Sequence, residues 1–137
     1  MEEKVAPEEK KVAPVAKPKT STGLEENVEG LLCYLVGFIT GIIFLIIEKE
    51  SRFVRFHAMQ STVTFLTLAI VNWIIGAIIV ATALNPFTWG ITAILGIIST
   101  LILIASIIFW ILGMYMAYRG QMYKFPFFGQ IAENFLK

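Results

Sequence analysis

The chain has 137 residues, of which 57% are hydrophobic and 15% charged, and its formal net charge at pH 7 is +1. Average soluble domains contain roughly 45–50% apolar and about 25% charged residues, so this composition indicates a membrane protein. A nearly neutral chain without an extended basic patch is not expected to bind nucleic acid. Its single cysteine, Cys33, permits neither an internal disulfide nor a cysteine-based metal site.

The N-terminal region, residues 1–22, is rich in Lys, Glu, Ala and Pro and contains the sequence KVAP twice, at residues 4–7 and 11–14. It offers almost no apolar surface to bury, so its ordering entropy has nothing to offset it. We therefore expect a disordered, solvated tail at residues 1–22, with a docking role as the less favoured alternative. A single transmembrane domain is expected to follow at residues 23–137.

Three apolar runs follow the tail, at about residues 28–47, 62–83 and 91–118. About 20 apolar residues in a helix cover a hydrocarbon core of roughly 30 Å, and each run reaches that length. Thr22 and Glu25 have the spacing of a capping box, which predicts a helix start just before the first run. The predicted fold is an all-α integral membrane bundle of three transmembrane helices.

A charge-dense segment, Glu48 to Ser61, separates the first two runs, and we call it the hub. A helix running from about Ser51 into the second run would turn His57 toward the bundle, on the same face as Ser61 and Asn72. The structural interpretation of His57 is favoured over a pH-responsive or partner-binding one. The candidate interaction residues of the hub are Arg52, Phe53, Arg55, Phe56, His57, Gln60 and Ser61.

Small and polar residues recur at helical spacing in each apolar run. Gly37 and Gly41 form a GxxxG pattern, which lets another helix backbone approach closely in lipid. An unpaired Asn72 amide would be costly in hydrocarbon, so a hydrogen bond to another helix is favoured over contact with a substrate. The predicted helix-packing residues are Gly37, Gly41, Asn72, Gly96 and Gly113.

The C-terminal segment begins after the Phe125-Pro126 break and carries apolar residues at helical spacing. Two placements follow from this pattern: a short amphipathic helix in the membrane interface, or a helix packed on the end of the bundle. With three spans, the hub and the C-terminus lie on one side and the tail on the other. Basic residues near the span ends favour a cytoplasmic hub by five to two.

Several motifs resemble a known family: GLEENV at residues 23–28, the spaced pattern of Tyr34, Gly37, Thr40 and Gly41, the pair Glu48 and Lys49, VRFHA at 54–58 followed by Gln60 and Ser61, and AYRG at 117–120 followed by Pro126 and Gly129. They resemble an uncharacterised prokaryotic family of small multispan membrane proteins. That family is similar to the Tic-twenty-like subunit of the plastid inner-envelope protein-import machinery. The resemblance covers roughly residues 23–133 and implies a small helical membrane protein without an established activity. The plastid subunit is usually described with four spans, whereas three are counted here.

The functional expectation is a non-enzymatic protein of the cell membrane, a scaffold or interaction protein that assists membrane-protein transport or assembly. No catalytic, cofactor or metal residues are assigned, because no nucleophile–base pair, phosphate-binding loop or ligand set appears. The expected partners are the lipid bilayer and other membrane proteins or further copies of the chain. The alternative is a channel or transporter subunit that forms a pore by oligomerisation, although charged residues are missing from the spans.

Overall fold

The fold was obtained as a computed structural model that describes residues 20–137, and within that range all regular structure is helical. In chain order the elements are α1 (Glu26–Leu35), α2 (Phe38–Ile47), α3 (Arg52–Ala83), a 3-10 turn (Pro86–Thr88), α4 (Trp89–Tyr118) and α5 (Phe128–Phe135). The predicted all-α class is confirmed for these residues. Residues 1–19 of the predicted tail lie outside the described part of the chain.

Two helices, α3 and α4, are long and apolar enough to cross a membrane. They contain 32 and 30 residues, or about 48 and 45 Å of helix. The prediction of a continuous helix from the hub into the second apolar run is confirmed, because α3 begins at Arg52, with the Ser51 side chain accepting a hydrogen bond from the Val54 N–H. The 3-10 turn connects α3 to α4, and the Asn85 side chain accepts a hydrogen bond from the Phe87 N–H there.

The first apolar run is not one helix, so the prediction of a continuous span at residues 28–47 is wrong. The chain leaves α1 at Val36, reverses at Gly37 with a positive φ of 57°, and returns as α2. Each of these helices has 10 residues and is therefore about 15 Å long, half of what a crossing requires. Glycine adopts a positive φ without the steric penalty of a Cβ atom, which is why the reversal falls at Gly37.

The reversal brings both ends of the first apolar run to the same end of the molecule. The Ser21 N–H, before α1, donates to the Glu48 carboxylate, after α2, at 2.8 Å. Near them, the Ser51 hydroxyl donates to Glu26. Residues 20–22, before α1, therefore lie beside the hub and not opposite it as predicted, because α1 and α2 form a hairpin whose two ends meet at the same end of the molecule.

Side chains satisfy the backbone groups that the break between α1 and α2 exposes. Thr40 Oγ1 donates to the carbonyl oxygens of Cys33 and Gly37 at 3.1 and 3.3 Å. Ser61 donates to the Gly37 oxygen at 2.9 Å, and the Trp110 indole N–H donates to the Tyr34 oxygen at 2.8 Å. An irregular backbone is tolerated at membrane depth only where such partners replace water, so α3 and α4 supply what the hairpin needs.

The predicted capping box does not form at the start of α1. Glu25 occupies the N-cap position without a side-chain cap. Thr22 instead accepts from the Leu24 N–H and donates to the carboxylate of Glu29. The chain turns at Gly23, where φ is 83°. Thr22 therefore lies before the helix begins and does not occupy the N-cap position, which is taken by Glu25.

The described residues divide into two regions with different environments. The polar head comprises residues 20–65 and 109–137, and the stem comprises residues 66–108 of α3, the turn and α4. Every fully buried residue of the described chain belongs to the polar head, among them Tyr34, Phe56, His57 and Phe125. The stem has apolar side chains that face outward, such as Ile70 at 50% and Leu101 at 59% exposure.

The C-terminal segment confirms the predicted helix and packs on the end of the bundle. Ala132 and Gly129 of α5 are buried, and α5 contacts α3. Phe125, immediately before the helix, is buried against Phe109 with ring centroids 4.8 Å apart. Phe127 and Phe135 are 84% and 70% exposed, so an apolar edge of α5 remains uncovered by the described residues.

Candidate interaction site at the polar head

The centre of the polar head is a hydrogen-bonded chain formed by Tyr34, His57 and Gln60, all fully buried. His57 Nδ1 lies 3.0 Å from the Tyr34 hydroxyl oxygen, and His57 Nε2 lies 3.0 Å from the carbonyl oxygen of Gln121. A carbonyl only accepts, so Nε2 carries the proton and Nδ1 accepts from the tyrosine. Both ring nitrogens are therefore used within the protein, by groups on α1 and on the segment after α4.

Gln60 extends this chain toward the C-terminal segment. Its Nε2 donates to the Tyr34 hydroxyl at 3.1 Å and to the Tyr123 carbonyl at 3.0 Å, and its Oε1 accepts from the Phe125 N–H at 3.1 Å. The segment 121–125 has no regular structure, yet its backbone groups are satisfied by two side chains of α3. These bonds fix residues 121–125, and with them α5, against the start of α3.

A second polar cluster lies where the α1–α2 hairpin closes. The Glu48 carboxylate accepts from the backbone N–H groups of Ser21, Glu50 and Ser51, each at 2.8 Å. Burial alone would raise the pKa of Glu48, but these three donors outweigh it and hold the pKa below its ordinary value of 4.5. The cluster therefore keeps Glu48 ionised at the polar end of the molecule.

Glu29 behaves oppositely in the same cluster. Burial, followed by the adjacent Glu48 carboxylate, raises the pKa of Glu29 from 4.5 to about 7. Thr22 donates to Glu29 Oε1, while Oε2 is buried without a hydrogen-bond partner among the described residues. Two adjacent buried carboxyl groups of which one holds a proton form a pair that titrates near neutral pH.

The hub residues divide between the interior and the surface. Phe56, His57, Gln60 and Ser61 are buried, whereas Arg52 is exposed. Phe53 and Arg55 are partly exposed, and the Phe53 ring lies 4.6 Å from the His57 ring, centroid to centroid. The structure therefore brings four of the hub residues into the core and leaves the two arginines toward solvent or the lipid headgroups.

Three of the predicted packing glycines lie at close contacts within the chain. A Cβ atom on Gly113 would lie 2.5 Å from the Tyr34 ring, and one on Gly41 would lie 2.6 Å from Thr62 Oγ1 and 2.8 Å from the Ala58 oxygen. Gly37 lies against Phe65, but its positive φ is the stronger requirement. The GxxxG pattern therefore reflects a chain reversal followed by a helix contact, not one continuous packing face.

Gly96, also predicted to pack against a helix, makes no close contact within residues 20–137. A Cβ atom on Gly96 would meet no atom within 4 Å. The same is true of Gly76 on α3. The reason is that α1 and α2 end in the polar head, so the stem contains only two helices and each has one neighbour.

Asn72 and Ser99 form a polar contact between the helices of the stem, as do Thr82 and Thr92, whose hydroxyl oxygens lie 2.8 Å apart nearer the turn. The Ser99 hydroxyl lies 2.6 Å from Asn72 Oδ1. Among residues 20–137 the Asn72 side chain makes this one hydrogen bond, through its oxygen, and its amide nitrogen makes none. Asn72 is 11 residues from the end of α3 at Ala83, or about 16 Å along the helix, which is about half the thickness of a hydrocarbon core. Whichever way the amide is oriented, one of its two polar ends lacks a partner there.

The described residues form a positioned polar assembly and not a ligand set. They contain no group of three or more His, Cys, Asp or Glu side chains arranged to hold a metal ion. Cys33 is buried, and its thiol donates to the Val54 carbonyl at 3.8 Å. The bonded groups of the Tyr34 chain point at backbone carbonyls and at each other, an arrangement suited to fixing helices in place.

Sequence reasoning missed several residues that organise the head. Tyr34 is the most important of them, because it joins α1 to α3 through His57 and Gln60. Neither the pair Glu29 and Glu48 nor Trp110, whose indole N–H donates to the Tyr34 carbonyl, is singled out by sequence reasoning. Glu29 had a usable signal, since a carboxyl one turn inside an apolar run requires a polar partner.

Comparison with known proteins gives a consistent membrane family. A family model described as the magnetosome magnetite crystal formation protein family matches residues 25–132. Two UPF0132 membrane proteins of Methanocaldococcus jannaschii are 49% and 47% identical, over 84% and 85% of this chain and 73% and 94% of their own lengths. A UPF0132 membrane protein of Archaeoglobus fulgidus is 40% identical over 81% of this chain and 95% of its own. No solved structure matches.

These matches support the predicted prokaryotic membrane family and do not support the likeness to the plastid import subunit. The motifs quoted for that likeness are short, at most six consecutive residues each. The relatives and the two long apolar helices together indicate a membrane protein. The chain belongs to the magnetosome magnetite crystal formation protein family, and within it resembles archaeal UPF0132 membrane proteins.

Proposed function

We propose that this protein is a non-enzymatic membrane scaffold that associates, through the stem, with further transmembrane helices of its own kind or of other membrane proteins. The observation that carries the proposal is the half-paired Asn72 amide near the middle of α3. In hydrocarbon an unpaired amide group costs several kcal/mol by order of magnitude, and no water is present to satisfy it. A polar group of a neighbouring helix would remove that cost.

The surroundings of Asn72 suit such a neighbour. Gly76 lies one turn away on α3, Gly96 lies close to Ser99 on α4, and neither has an atom within 4 Å of where a Cβ would be. Small residues beside a polar one let helix backbones approach, and that approach shortens interhelical hydrogen bonds. The stem therefore offers a hydrogen-bond donor and space for a partner helix. In the polar head, the Tyr34 chain is bonded to groups of the same protein.

The bonding of the polar head supports a scaffold over an enzyme. The donors and acceptors of His57 and Gln60 are satisfied by groups of the same chain. Side chains bonded in this way stabilise the fold and have no free lone pair or proton to offer a substrate. From the names of the archaeal relatives we carry over to this chain only a membrane-bound role, and from the family description, which concerns magnetite crystal formation, nothing further.

The test measures association in lipid vesicles by energy transfer between donor- and acceptor-labelled copies, with and without a membrane extract of partners captured by crosslinking. Asn72→Leu should weaken self-association or partner capture by about tenfold, corresponding to one or two interhelical hydrogen bonds. Val71→Leu, one position away on a lipid-facing surface, is the matched control and should have no effect.

The proposal fails if the protein stays monomeric and captures no membrane protein, or if Asn72→Leu and Val71→Leu behave alike. Solute flux through vesicles that contain the associated protein would assign the association to a pore instead of a scaffold.

A further inference from the structure

A cationic groove lies at the polar end of the molecule, on the side of the hub away from the Tyr34 chain. It has a volume of about 260 Å³ and is lined by Lys49, Glu50, Arg52, Arg55, Leu136 and Lys137. Four of these six side chains carry a positive charge and one a negative charge. The groove joins the loop before α3, the first turn of α3 and the end of α5, three parts of the chain that the fold brings together.

The arginines of the groove are poorly satisfied by the protein itself. Arg55 Nε is buried without a hydrogen-bond partner among residues 20–137. The one ion pair described in that range joins Lys124 to Glu133 at 2.7 Å, and it includes neither arginine. Arg52 does lower the pKa of Glu133, but Lys124, which is bonded to that carboxylate, lowers it more. Glu133 is therefore paired with Lys124 and not with Arg52. A buried guanidinium nitrogen without a partner costs free energy, and a bound anion would remove that cost.

The backbone adds to the positive potential. The groove lies at the N-terminus of α3, a helix of 32 residues, where the helix dipole favours negative charge. Arg52 is in the first helical position, so the charge of its side chain and the positive end of the helix dipole both attract an anion into the groove. Guanidinium groups bind phosphate oxygens in pairs, a geometry that a lysine or a dipole alone does not provide.

The location restricts the source of the anion. All six Lys and Arg residues of the described range lie in the polar head, and residues 56–118 contain no Asp, Glu, Lys or Arg. Lipid headgroups are expected at such a boundary between charged and uncharged sequence. Beside the groove, Leu136 is partly buried and offers an apolar wall to the first carbons of a lipid glycerol.

We propose that this groove binds a phosphate group at the membrane surface, with Arg52 and Arg55 as its ligands and Lys49 and Lys137 as supporting charges. The proposal is independent of the scaffold role, because Asn72 lies on the other part of α3 and either property can be lost without the other. The phosphate belongs to an anionic lipid headgroup or to a free phosphate, and the experiment separates these two sources.

The experiment uses the full chain in neutral detergent and titrates three probes by calorimetry: dihexanoylphosphatidylglycerol, dihexanoylphosphatidylcholine and inorganic phosphate. Binding of the phosphatidylglycerol alone assigns the groove to anionic lipid headgroups. Binding of both the phosphatidylglycerol and inorganic phosphate assigns it to the phosphate group in general. Equal binding of the phosphatidylcholine and the phosphatidylglycerol, or no binding of any probe, overturns the proposal.

Arg55→Gln should weaken binding about tenfold, since it removes one charge and its paired hydrogen bonds. Arg119→Gln is the matched control: it removes the same charge at the same end of the molecule but outside the groove, where Arg119 bonds to Tyr115. Arg55→Lys keeps the charge and should fall between them. Circular dichroism melts establish that each variant is folded. Equal losses in Arg55→Gln and Arg119→Gln would show a diffuse attraction to the surface and contradict a built site.

Discussion

The polar head and the stem are built from the same two long helices but rely on different interactions. In the head, α3 and α4 are covered by α1, α2 and α5, and polar side chains such as Tyr34, His57 and Gln60 are buried and paired. In the stem, α3 and α4 have only each other, and outward-facing Ile and Leu side chains remain for lipid. Packing and hydrogen bonding within the chain fix the head, whereas the stem depends on the surrounding membrane or on another helix.

The largest difference between the regions is expected at His57. His57→Leu would leave the Gln121 carbonyl without its bond to His57, and the Tyr34 hydroxyl, which still accepts from Gln60, without an acceptor for its proton, at about 1–3 kcal/mol for each lost bond. We expect a loss of about 3 kcal/mol in the free energy of unfolding, measured by steric trapping or by denaturant in mixed micelles. His57→Gln can keep one of the two bonds and should lose less. If both variants unfold at the same denaturant concentration as the wild type, the head is not held by this chain of bonds.

The same substitution in the two regions should have opposite effects. Gly113→Ala places a methyl group against the Tyr34 ring, where a Cβ would lie 2.5 Å away, and overpacking of this kind costs about 1–3 kcal/mol. Gly96→Ala meets nothing within 4 Å and should be neutral or slightly stabilising, because alanine favours helix by up to about 1 kcal/mol. Thermal unfolding in detergent compares them. A loss of stability in Gly96→Ala as large as in Gly113→Ala would mean that the stem is as tightly packed as the head.

A third comparison tests the reversal between α1 and α2. Thr40→Val keeps the shape of the side chain but removes the hydroxyl that bonds Cys33 and Gly37 oxygens, at a cost of about 1–2 kcal/mol. Thr67→Val, at an exposed position of the stem, is the control and should change stability little. Amide hydrogen exchange should accelerate at residues 34–41 in the first variant alone. Unchanged exchange there would show that the reversal does not depend on Thr40.

The last comparison concerns pH and is confined to the head. The pKa of Glu29 is raised from 4.5 to about 7, so folding stabilises its protonated form. That contribution is complete below about pH 4.5 and is lost as the pH rises through about 7, where Glu29 ionises beside Glu48. The thermal midpoint should therefore decrease between these two pH values, and Glu29→Gln should remove the decrease. A wild-type midpoint that rises with pH across this range contradicts the assignment.

The sequence predicted the fold class and the helix from the hub into α3 because both depend on local patterns of hydrophobicity. It did not predict the hairpin of α1 and α2. The apolar run from 28 to 47 has the length of a span, and the choice between one helix and two depends on contacts with α3 and α4, chiefly those of Ser61 and Trp110. Tyr34 could not be identified for the same reason, since its partners are 23 and 26 residues away in sequence. Gly37 and Thr40 were the local signals of the reversal, but glycine and threonine are common in membrane helices.

The central claim is that the first apolar run enters and leaves the membrane on one side, so that the chain before α1, the hub and the C-terminus share that side. In a Cys33→Ser background, single cysteines at Thr22, Lys49 and Phe87 are labelled with an impermeant thiol reagent in sealed vesicles of known orientation. The account predicts that Thr22 and Lys49 label from the same side and Phe87, which is 98% exposed in the turn between α3 and α4, only from the other. Labelling of Thr22 together with Phe87, and of Lys49 from the opposite side, would contradict the hairpin and restore three complete crossings.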